Sequence, residues 1–409
     1  MTVDSLLTRA HALDSADPLV EHRKRFIGHN DPGLPAYLDG NSLGRPLQST
    51  LERYNSFITT QWGGRLIRGW DDGWLQLPLT LGDRIGEVAL GAAKGQCIVA
   101  DSTTVLLYKL ARAAVAARPG RTEIVVDRDN FPTDRYIMEG IADECGLRLR
   151  WVQPSPDGGM TSEDVRDVVG PDTAFVVLSH VAYRSGYLSD MESITACVHD
   201  AGALVLWDLS HSVGSVPVHL DDCGVDYAVG CSYKYLNGGP GAPAWAYVAE
   251  RHQAELNQPI QGWLGSADPF GMVQGYEPAL GIRRMLSGTP PIMGMLAIED
   301  MVDLIGTVGM DEVRKKSVAL TEFALESVEV LLAPHDVRVA SPTDAARRGS
   351  HITIDHPSFK EVTAQLWEKG IIPDYRNPDG IRLGMSPLST SFGETLHGVM
   401  AIEAILAAG

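Results

Sequence analysis

Two ionisable side chains, Asp208 and Lys234, stand just beyond short apolar runs in the middle of the chain. Asp208 directly follows the run 203–207 (Ala-Leu-Val-Leu-Trp), and Lys234 follows the run 227–230. A lysine amine can hold an aldehyde as a Schiff base, and a carboxylate can keep a pyridine nitrogen protonated so that the ring accepts electrons. The pair therefore predicts a catalytic site for pyridoxal phosphate (PLP).

The neighbours of these two residues argue against ordinary structural roles. Lys234 lies in 232–239 (Ser-Tyr-Lys-Tyr-Leu-Asn-Gly-Gly), between an apolar strand and a glycine-rich turn, which is a poor place for an idle charge. Asp208 by itself is also consistent with an N-cap for a helix that begins at Leu209. A carboxylate that ends a buried strand is costly unless it is paired. His211, three residues on, can stack on the cofactor ring or hydrogen-bond to it, and the three residues together favour the cofactor site.

A candidate phosphate site precedes the pair. The segment 101–104 (Asp-Ser-Thr-Thr) follows the predicted strand 96–100 and opens an amphipathic helix from 105 to about 117. Backbone N–H groups at a helix start, helped by hydroxyls, bind phosphate, and three successive hydroxyl residues are more than an N-cap needs. The chain has no G-x-x-x-x-G-K-[ST] sequence, and 238–241 (Gly-Gly-Pro-Gly) lacks the spacing of a nucleotide-binding loop. Nucleotide binding is therefore unsupported.

Two weaker candidates are an aromatic residue and an arginine. Phe131, in 131–134 (Phe-Pro-Thr-Asp), follows the strand 123–126 and could stack on a flat ring, although an ordinary loop anchor explains it equally well. Arg382 lies in the C-terminal region, and arginine binds carboxylates in a bidentate way that lysine cannot match. Without further context, a surface ion pair is the simpler explanation for this arginine.

Composition excludes several classes of partner. The 409 residues carry 34 basic and 52 acidic side chains, a net charge of −18, with no run rich in Lys or Arg. This balance disfavours nucleic acid and anionic membranes, and no apolar stretch approaches the roughly 18 to 20 residues that span a bilayer. Residues 1–25 have no apolar core of the signal-peptide type. The five scattered cysteines lack metal-ligand spacing and predict reduced thiols in a cytoplasm, without a metal site.

The order of apolar runs predicts an α/β fold. Runs that are apolar throughout alternate with helical stretches from about 96 to 288, as expected for strands covered on both faces in a mainly parallel sheet. Ligands bind beyond the carboxyl ends of such strands. Each candidate residue discussed so far, apart from Arg382, follows one of these predicted strands. The predicted strands are 96–100, 123–126, 174–178, 203–207 and 227–230.

The C-terminal part predicts a smaller α+β domain. We expect strands at 337–340, 351–354 and 380–383, a helix at 358–369 and a turn at 377–380. The expected division is an N-terminal segment, 1–61, that packs with the small domain, a large domain, 62–308, and the small domain, 309–409.

Six segments together resemble the kynureninase family, PLP-dependent hydrolases of fold type I in the aminotransferase class V group. The most specific are the turn 41–44 (Asn-Ser-Leu-Gly) and the segment 231–237 (Cys-Ser-Tyr-Lys-Tyr-Leu-Asn), because class V members in general share only the Asp, His and Lys framework. The resemblance implies a large, mainly parallel α/β domain with a smaller α+β domain. The matching segments are 37–44, 131–134, 207–214, 230–239, 288–291 and 381–382.

The resemblance implies a role for each matching residue. Lys234 would form the Schiff base, Asp208 would pair with the pyridine nitrogen, and Tyr233 would bind phosphate and take part in proton transfer. Arg382 would hold the substrate α-carboxylate. The other implied cofactor contacts are Thr103, Thr104, Phe131, Pro132, Thr133, Asp134, Ser179, His211, Trp263 and Thr289. Trp263 and Thr289 would come from the neighbouring subunit of a homodimer, and the further substrate contacts would be Asn41, Ser42 and Trp70.

The implied reaction is hydrolysis of L-kynurenine to anthranilate and L-alanine, in tryptophan catabolism by the kynurenine pathway and in NAD biosynthesis. 3-Hydroxykynurenine is a second candidate substrate. Trp70 and Thr289 stand where animal members of the family carry smaller or more polar groups, and this difference predicts a preference for unsubstituted kynurenine.

Three alternatives use the same cofactor framework. A cysteine desulfurase needs a mobile nucleophilic cysteine well after the lysine, and no cysteine follows Cys231, so this alternative is nearly excluded. The spacing of the aspartate, histidine and lysine alone does not distinguish this chain from an aminotransferase. A catalytically silent PLP-fold binding protein is expected to lose the lysine, the aspartate or the arginine, and all three are present.

Overall fold

The computed structural model describes residues 2–155 and 157–408. The N-terminal part is mostly helical and contains one short strand. Its regular elements are α1 (Val3–Ala16), α2 (Val20–Arg23), β1 (Ala36–Tyr37), α3 (Gln48–Ser56), α4 (Gly63–Arg65) and α5 (Leu77–Ile85). Stretches of π-helix and 3-10 helix between 57 and 90 connect and extend these helices.

A seven-stranded sheet forms the centre of the chain. Its strands lie in the order β2-β8-β7-β6-β5-β3-β4, and all run in the same direction except β8, which is antiparallel to β2 and β7. The five predicted strands are confirmed to within one residue at each end. In chain order the strands are β2 (Cys97–Ala100), β3 (Glu123–Asp127), β4 (Arg148–Val152), β5 (Thr173–Ser179), β6 (Leu204–Asp208), β7 (Tyr227–Gly230) and β8 (Ala244–Val248).

Helices cover both faces of this sheet, which explains why its strands are apolar throughout. In β6, Leu204 and Leu206 belong to one apolar core, whereas Val205 and Trp207 belong to the other, because successive side chains of a strand point to opposite faces. The covering helices are α6 (Thr103–Ala116), α7 (Pro132–Cys145), α8 (Ser162–Arg166), α9 (Met191–Asp200), α10 (Glu250–Gln253) and α11 (Ile292–Val308).

The C-terminal part contains a second, antiparallel sheet of order β12-β13-β10-β9. Two predicted strands and the predicted helix are confirmed, whereas the strand predicted at 337–340 is reduced to two residues. The elements are α12 (Met310–Leu331), β9 (Arg338–Val339), β10 (His351–Asp355), α13 (Phe359–Glu368), β11 (Ile371–Ile372), β12 (Asp374–Arg376), β13 (Gly380–Gly384) and α14 (Phe392–Leu406).

The N-terminal segment packs against this C-terminal part. Strand β1 pairs in parallel with β11, and Leu6 of α1 and Leu38 share an apolar core with Phe323 and Leu396. We therefore propose the division into segments 1–61, 62–308 and 309–409. Within the described residues, no helix combines the length and the apolar character that crossing a membrane requires.

Asp226, just before β7, is a buried carboxylate that joins three parts of the large sheet region. Its Oδ2 accepts hydrogen bonds from Val205 N and His199 Nε2, both at 2.8 Å, and its Oδ1 pairs with Arg251 Nη2 at 2.6 Å and His252 Nε2 at 2.7 Å. Burial opposes ionisation of Asp226, but the hydrogen bonds from the histidines and the backbone outweigh it and hold its pKa below the ordinary range.

We expect Asp226→Asn to destabilise the fold by about 2 to 3 kcal/mol at pH 7, since it removes the charge from a buried hydrogen-bonded carboxylate. The folded-state pKa is depressed, so this contribution is present above about pH 4 and is lost as the pH falls through the acid range. Urea unfolding at several pH values measures both effects. The exposed Asp143→Asn is the control, and equal unfolding midpoints for wild type and Asp226→Asn at pH 7 would contradict the assignment.

Candidate active site

Nine of the seventeen candidate residues, Lys234 and Asp208 among them, line a cavity of about 220 Å³ at the carboxyl edge of the large sheet. A larger cleft, about 750 Å³, lies between the two sheets and is lined by residues such as Asp127, Arg184 and Asp355, but no predicted site residue lines it. We place the site in the smaller cavity because Lys234, Asp208 and His211 line it. It is lined by Asp101, Ser102, Thr103, Thr104, Phe131, Thr133, Asp134, Asp208, Ser210, His211, Tyr233, Lys234, Gly241 and Ala242.

Lys234 projects into this cavity from the loop after β7. Its side chain is buried, and its Nζ lies 3.2 Å from His211 Nε2 and 5.8 Å from the centre of the Phe131 ring. Burial and the charge of Lys234 lower the pKa of His211 well below its usual value, so His211 is a neutral imidazole at pH 7. Within the described residues the amine forms no ion pair, and it is therefore available for covalent chemistry.

Asp208 is the last residue of β6 and is almost fully buried. Its Oδ1 accepts a hydrogen bond from Ser210 N at 2.7 Å, and Leu209 N donates to the carbonyl of Val229 in the next strand. Residues 210–215 form turns rather than a regular helix. The alternative role of Asp208 as a helix N-cap is therefore wrong, because no helix begins at Leu209.

Helix α6 presents its N-terminus to the other end of the cavity. Ser102 is the N-cap, and its hydroxyl accepts from Val105 N at 3.4 Å. Within the described residues, no protein acceptor takes the backbone N–H groups of Thr103 and Thr104, which lie with their hydroxyls on the cavity wall. Unpaired N–H groups at the positive end of a helix fit an anion such as a phosphate.

Asp134 provides a second unsatisfied polar group on the wall. It is 1% exposed, and neither carboxylate oxygen has a hydrogen-bond partner at normal distance among the described residues. Burial and the charge of Asp208 raise its pKa well above the usual value, and Lys234 opposes this rise. A buried carboxyl without a partner is costly, so a polar ligand in the cavity would complete its surroundings.

The Tyr233 ring, half-buried beside Lys234, completes this wall. Burial is the main cause that raises the pKa of Tyr233 above the ordinary value for a phenol. The side chain is therefore protonated at neutral pH and can act as a hydrogen-bond donor to a phosphate or as a proton source.

Arg382 lies on β13, in the C-terminal sheet, and faces the N-terminal turn 41–44. Its Nη2 donates to Ser42 Oγ at 3.0 Å, and the guanidinium also pairs with Asp374. Asn41 is fully buried beside it, against Gly384; a Cβ at Gly384 would lie 1.7 Å from Asn41 Oδ1. Glycine is required there so that the turn can approach the strand that carries the arginine.

Eight predicted site residues do not line this cavity: Arg382, Asn41 and Ser42, whose surroundings are given above, and five others. Pro132 is the first residue of α7, and Ser179 ends β5 and donates to Asn130 Oδ1 at 2.6 Å. Trp263 is 44% exposed. Trp70 and Thr289 instead line a separate apolar cavity of about 320 Å³, together with Phe57, Trp62 and Trp74. The roles proposed for these eight residues stay predictions.

Several residues beside the predicted groups were missed by sequence reasoning. Asp374 pairs with Arg382; the turn predicted at 377–380 was the signal, because a hairpin centred on residue 378 places 374 opposite 382. His351 is fully buried, with its ring centre 5.6 Å from that of His211. Tyr183 stacks edge-on against Phe131 at 5.5 Å. No pattern in the sequence pointed to His351 or Tyr183.

Comparison with solved structures defines the class of protein. The chain superposes on a cysteine desulfurase from Thermococcus onnurineus NA1 with a TM-score of 0.82 and 17% identity, covering 95% of this chain and 98% of the other. A C-DES mutant with glycine covalently linked to its PLP cofactor gives 0.80 and 19%, covering 93% and 98%. Fold and site together thus define the PLP-dependent fold type I class, with a large α/β and a smaller α+β part.

Comparison with curated sequences identifies the family within this class. Kynureninase from Pseudomonas fluorescens is 41% identical over 402 residues, 97% of this chain and 94% of the relative. Kynureninase from Burkholderia pseudomallei K96243 is 40% identical over 407 residues, with the same coverage. Residues 313–402 match the model of the kynureninase C-terminal domain. The chain belongs to the kynureninase family.

The desulfurases therefore share the fold with this chain, but the sequence argument against their chemistry stands. All five cysteines are unpaired, and Cys231, the last in the chain, is 2% exposed. A thiol this deeply buried cannot move to a substrate as a nucleophile.

Proposed function

We propose that this protein is a PLP-dependent hydrolase that cleaves L-kynurenine into anthranilate and L-alanine in tryptophan catabolism. The observation that carries the proposal is the convergence of Lys234, Asp208 and the free N-terminus of α6 on one cavity. The 41% identity to a curated kynureninase over nearly the whole chain supports the choice of reaction.

The cavity walls supply a partner for each part of the cofactor. Lys234 would hold the aldehyde, and Asp208 would bind the protonated ring nitrogen. Thr103, Thr104 and Tyr233 would hold the phosphate, beside N–H groups of α6 that have no protein acceptor among the described residues. Bound PLP supplies an electron sink for negative charge that develops on the substrate.

The remaining groups have roles in binding the substrate and moving protons. Arg382 would hold the α-carboxylate, and Asn41 and Ser42 would form the wall beside it. The amine of Lys234, once free of the aldehyde, would accept the proton from the substrate α-carbon. Burial raises the pKa of Tyr233, and its phenol is protonated at neutral pH. It would donate a proton to the β-carbon of the substrate when the bond between the β- and γ-carbons breaks. A water molecule that adds to the γ-carbonyl makes the cleavage a hydrolysis.

The proposed assembly is a homodimer with shared active sites, in the cytoplasm. Trp263 and Thr289 lie outside the cavity of their own chain and would reach the phosphate of the partner's site. The exposure of Trp263 and the apolar cavity around Trp70 and Thr289 support an interface there. Five unpaired cysteines support a reducing compartment.

We expect L-kynurenine to be preferred over 3-hydroxykynurenine by about tenfold in kcat/KM. The aryl ring would lie against Trp70 and Thr289 of the partner subunit, since in one chain these two residues lie outside the Lys234 cavity. The apolar wall that they share with Phe57, Trp74 and prolines offers the extra hydroxyl few polar partners. Parallel kinetics with both substrates measure the ratio. A clear preference for the 3-hydroxy form would contradict the assignment of this wall.

The function itself is tested by mixing the purified protein, PLP and L-kynurenine and following anthranilate fluorescence. The proposal predicts a signal that depends on the enzyme and on the L-isomer. Fully loaded protein that releases no anthranilate would defeat it.

A further inference from the structure

Asp374 and Arg382 are direct partners across strands β12 and β13. Asp374 Oδ2 accepts from Arg382 Nε at 2.7 Å and from Arg382 Nη2, and it also accepts from Arg376 Nε at 2.8 Å. The Arg382 side chain is 1% exposed. Its orientation is therefore fixed by protein groups rather than by water.

The five N–H groups of Arg382 can be assigned one by one. Asp374 takes Nε–H and one N–H of Nη2, Ser42 Oγ takes the other N–H of Nη2, and the Tyr183 carbonyl accepts from Nη1 at 2.6 Å. One N–H of Nη1 has no acceptor among the described residues. The Nε/Nη2 edge is thus occupied by a carboxylate, whereas the other acceptors, the Tyr183 carbonyl on Nη1 and the Ser42 hydroxyl on Nη2, are neutral.

Asp374 has two opposing effects on an incoming carboxylate. It partly neutralises Arg382, which weakens attraction, and it fixes the guanidinium plane, which favours a bidentate contact. We expect the effect on orientation to be stronger than the effect on charge, because the Asp374 carboxylate accepts hydrogen bonds from both Arg382 and Arg376 and so holds the two guanidinium groups in place. Without it, two guanidinium groups would repel each other, and a buried charge would lose its counter-ion. Arg382 would then turn towards Asp39, whose buried Oδ1 has no hydrogen-bond partner among the residues that the structure describes.

We propose that Asp374 is a positioning residue for substrate binding, which aims the Nη1/Nη2 edge of Arg382 at the α-carboxylate of an amino-acid substrate. This inference rests on the proposed function. When the carboxylate arrives, it takes the place of the Ser42 hydroxyl on Nη2 and uses the free N–H of Nη1. Asp374 keeps the opposite edge throughout.

The test compares Asp374→Asn with Asp379→Asn, a control in the turn of the same hairpin whose side chain makes no hydrogen bond or ion pair within the described residues. We expect Asp374→Asn to raise KM for L-kynurenine and the dissociation constant for L-alanine about tenfold or more, the loss expected for charge-assisted hydrogen bonds. The turnover number should change less than threefold. Binding of the decarboxylated analogue of kynurenine, followed by cofactor absorbance, should not change, since it has no carboxylate to place.

Each outcome decides between the hypotheses. Unchanged or tighter binding of L-alanine by Asp374→Asn would overturn the positioning role. An equal loss of affinity for L-alanine and for the decarboxylated analogue would also overturn it, because it would indicate general damage to the site. Asp374→Glu keeps the charge and should bind L-alanine with intermediate affinity, so the inference can be tested even if the asparagine variant does not fold. Wild-type protein that binds L-alanine but forms no anthranilate would refute the proposed function and leave the L-alanine comparison to decide the role of Asp374.

Discussion

Lys234→Ala is expected to lower anthranilate formation by roughly 10³-fold or more, since one substitution removes both the covalent anchor and the proton acceptor. The visible absorption band of the bound cofactor should vanish with it. Among the described residues the amine forms no ion pair, and its hydrogen-bond contacts are with the ring nitrogens of His211, the nearer Nε2 at 3.2 Å, so the substitution breaks no salt bridge. Steady-state kinetics and an absorption spectrum of the purified variant measure both effects.

The exposed Lys94→Ala is the matched control for charge and for the loss of a lysine side chain, and it should behave as wild type. Circular dichroism separates loss of chemistry from loss of fold. If Lys234→Ala kept activity within tenfold of wild type, or kept the absorption band, Lys234 would not be the cofactor anchor.

Asp208→Asn has the second-largest expected effect, a loss of roughly 10² to 10³-fold in turnover, the size found when one electrostatic group of an active site is removed. The amide keeps the shape of Asp208 and can still accept from Ser210 N. It no longer carries the negative charge that keeps the pyridine nitrogen protonated, so the ring accepts electrons less well. The turnover number should fall more than the affinity for L-kynurenine.

Asp222→Asn, an exposed position in the same region of the chain, is the control for this variant. A cofactor spectrum taken alongside the kinetics shows whether PLP is still bound. Full turnover in Asp208→Asn with bound cofactor would remove Asp208 from the mechanism.

The sequence predicted those parts of the fold in which one physical rule dominates. Strands β3, β5 and β6 are covered on both faces. Their apolar runs are therefore continuous, and the residues at which they begin and end can be located in the sequence. Parallel strands bring their carboxyl ends to one edge, and this is why Asp208 and Lys234, far apart in sequence, meet in one cavity. Strand β4 lies at the sheet edge with exposed arginines at 148 and 150, and it was missed because its pattern is not that of a buried strand.

Contacts between distant segments could not be predicted in the same way. His351 and Tyr183 reach the site from the second sheet and from the loop after β5, and neither follows an apolar run in a recognisable motif. Trp70, Trp263 and Thr289 matched the family pattern, but in one chain they lie outside the Lys234 cavity. In the proposed homodimer they would reach the site of a second subunit, which no periodicity in one sequence specifies.

The most direct test of the central claim is the product balance of a single reaction with PLP-loaded protein, L-kynurenine and no added keto acid. If the protein hydrolyses L-kynurenine, anthranilate and L-alanine form together, in equal amounts and without delay. Products that form only after a keto acid is added would identify an aminotransferase, and the absence of L-alanine would contradict hydrolysis of the carbon–carbon bond.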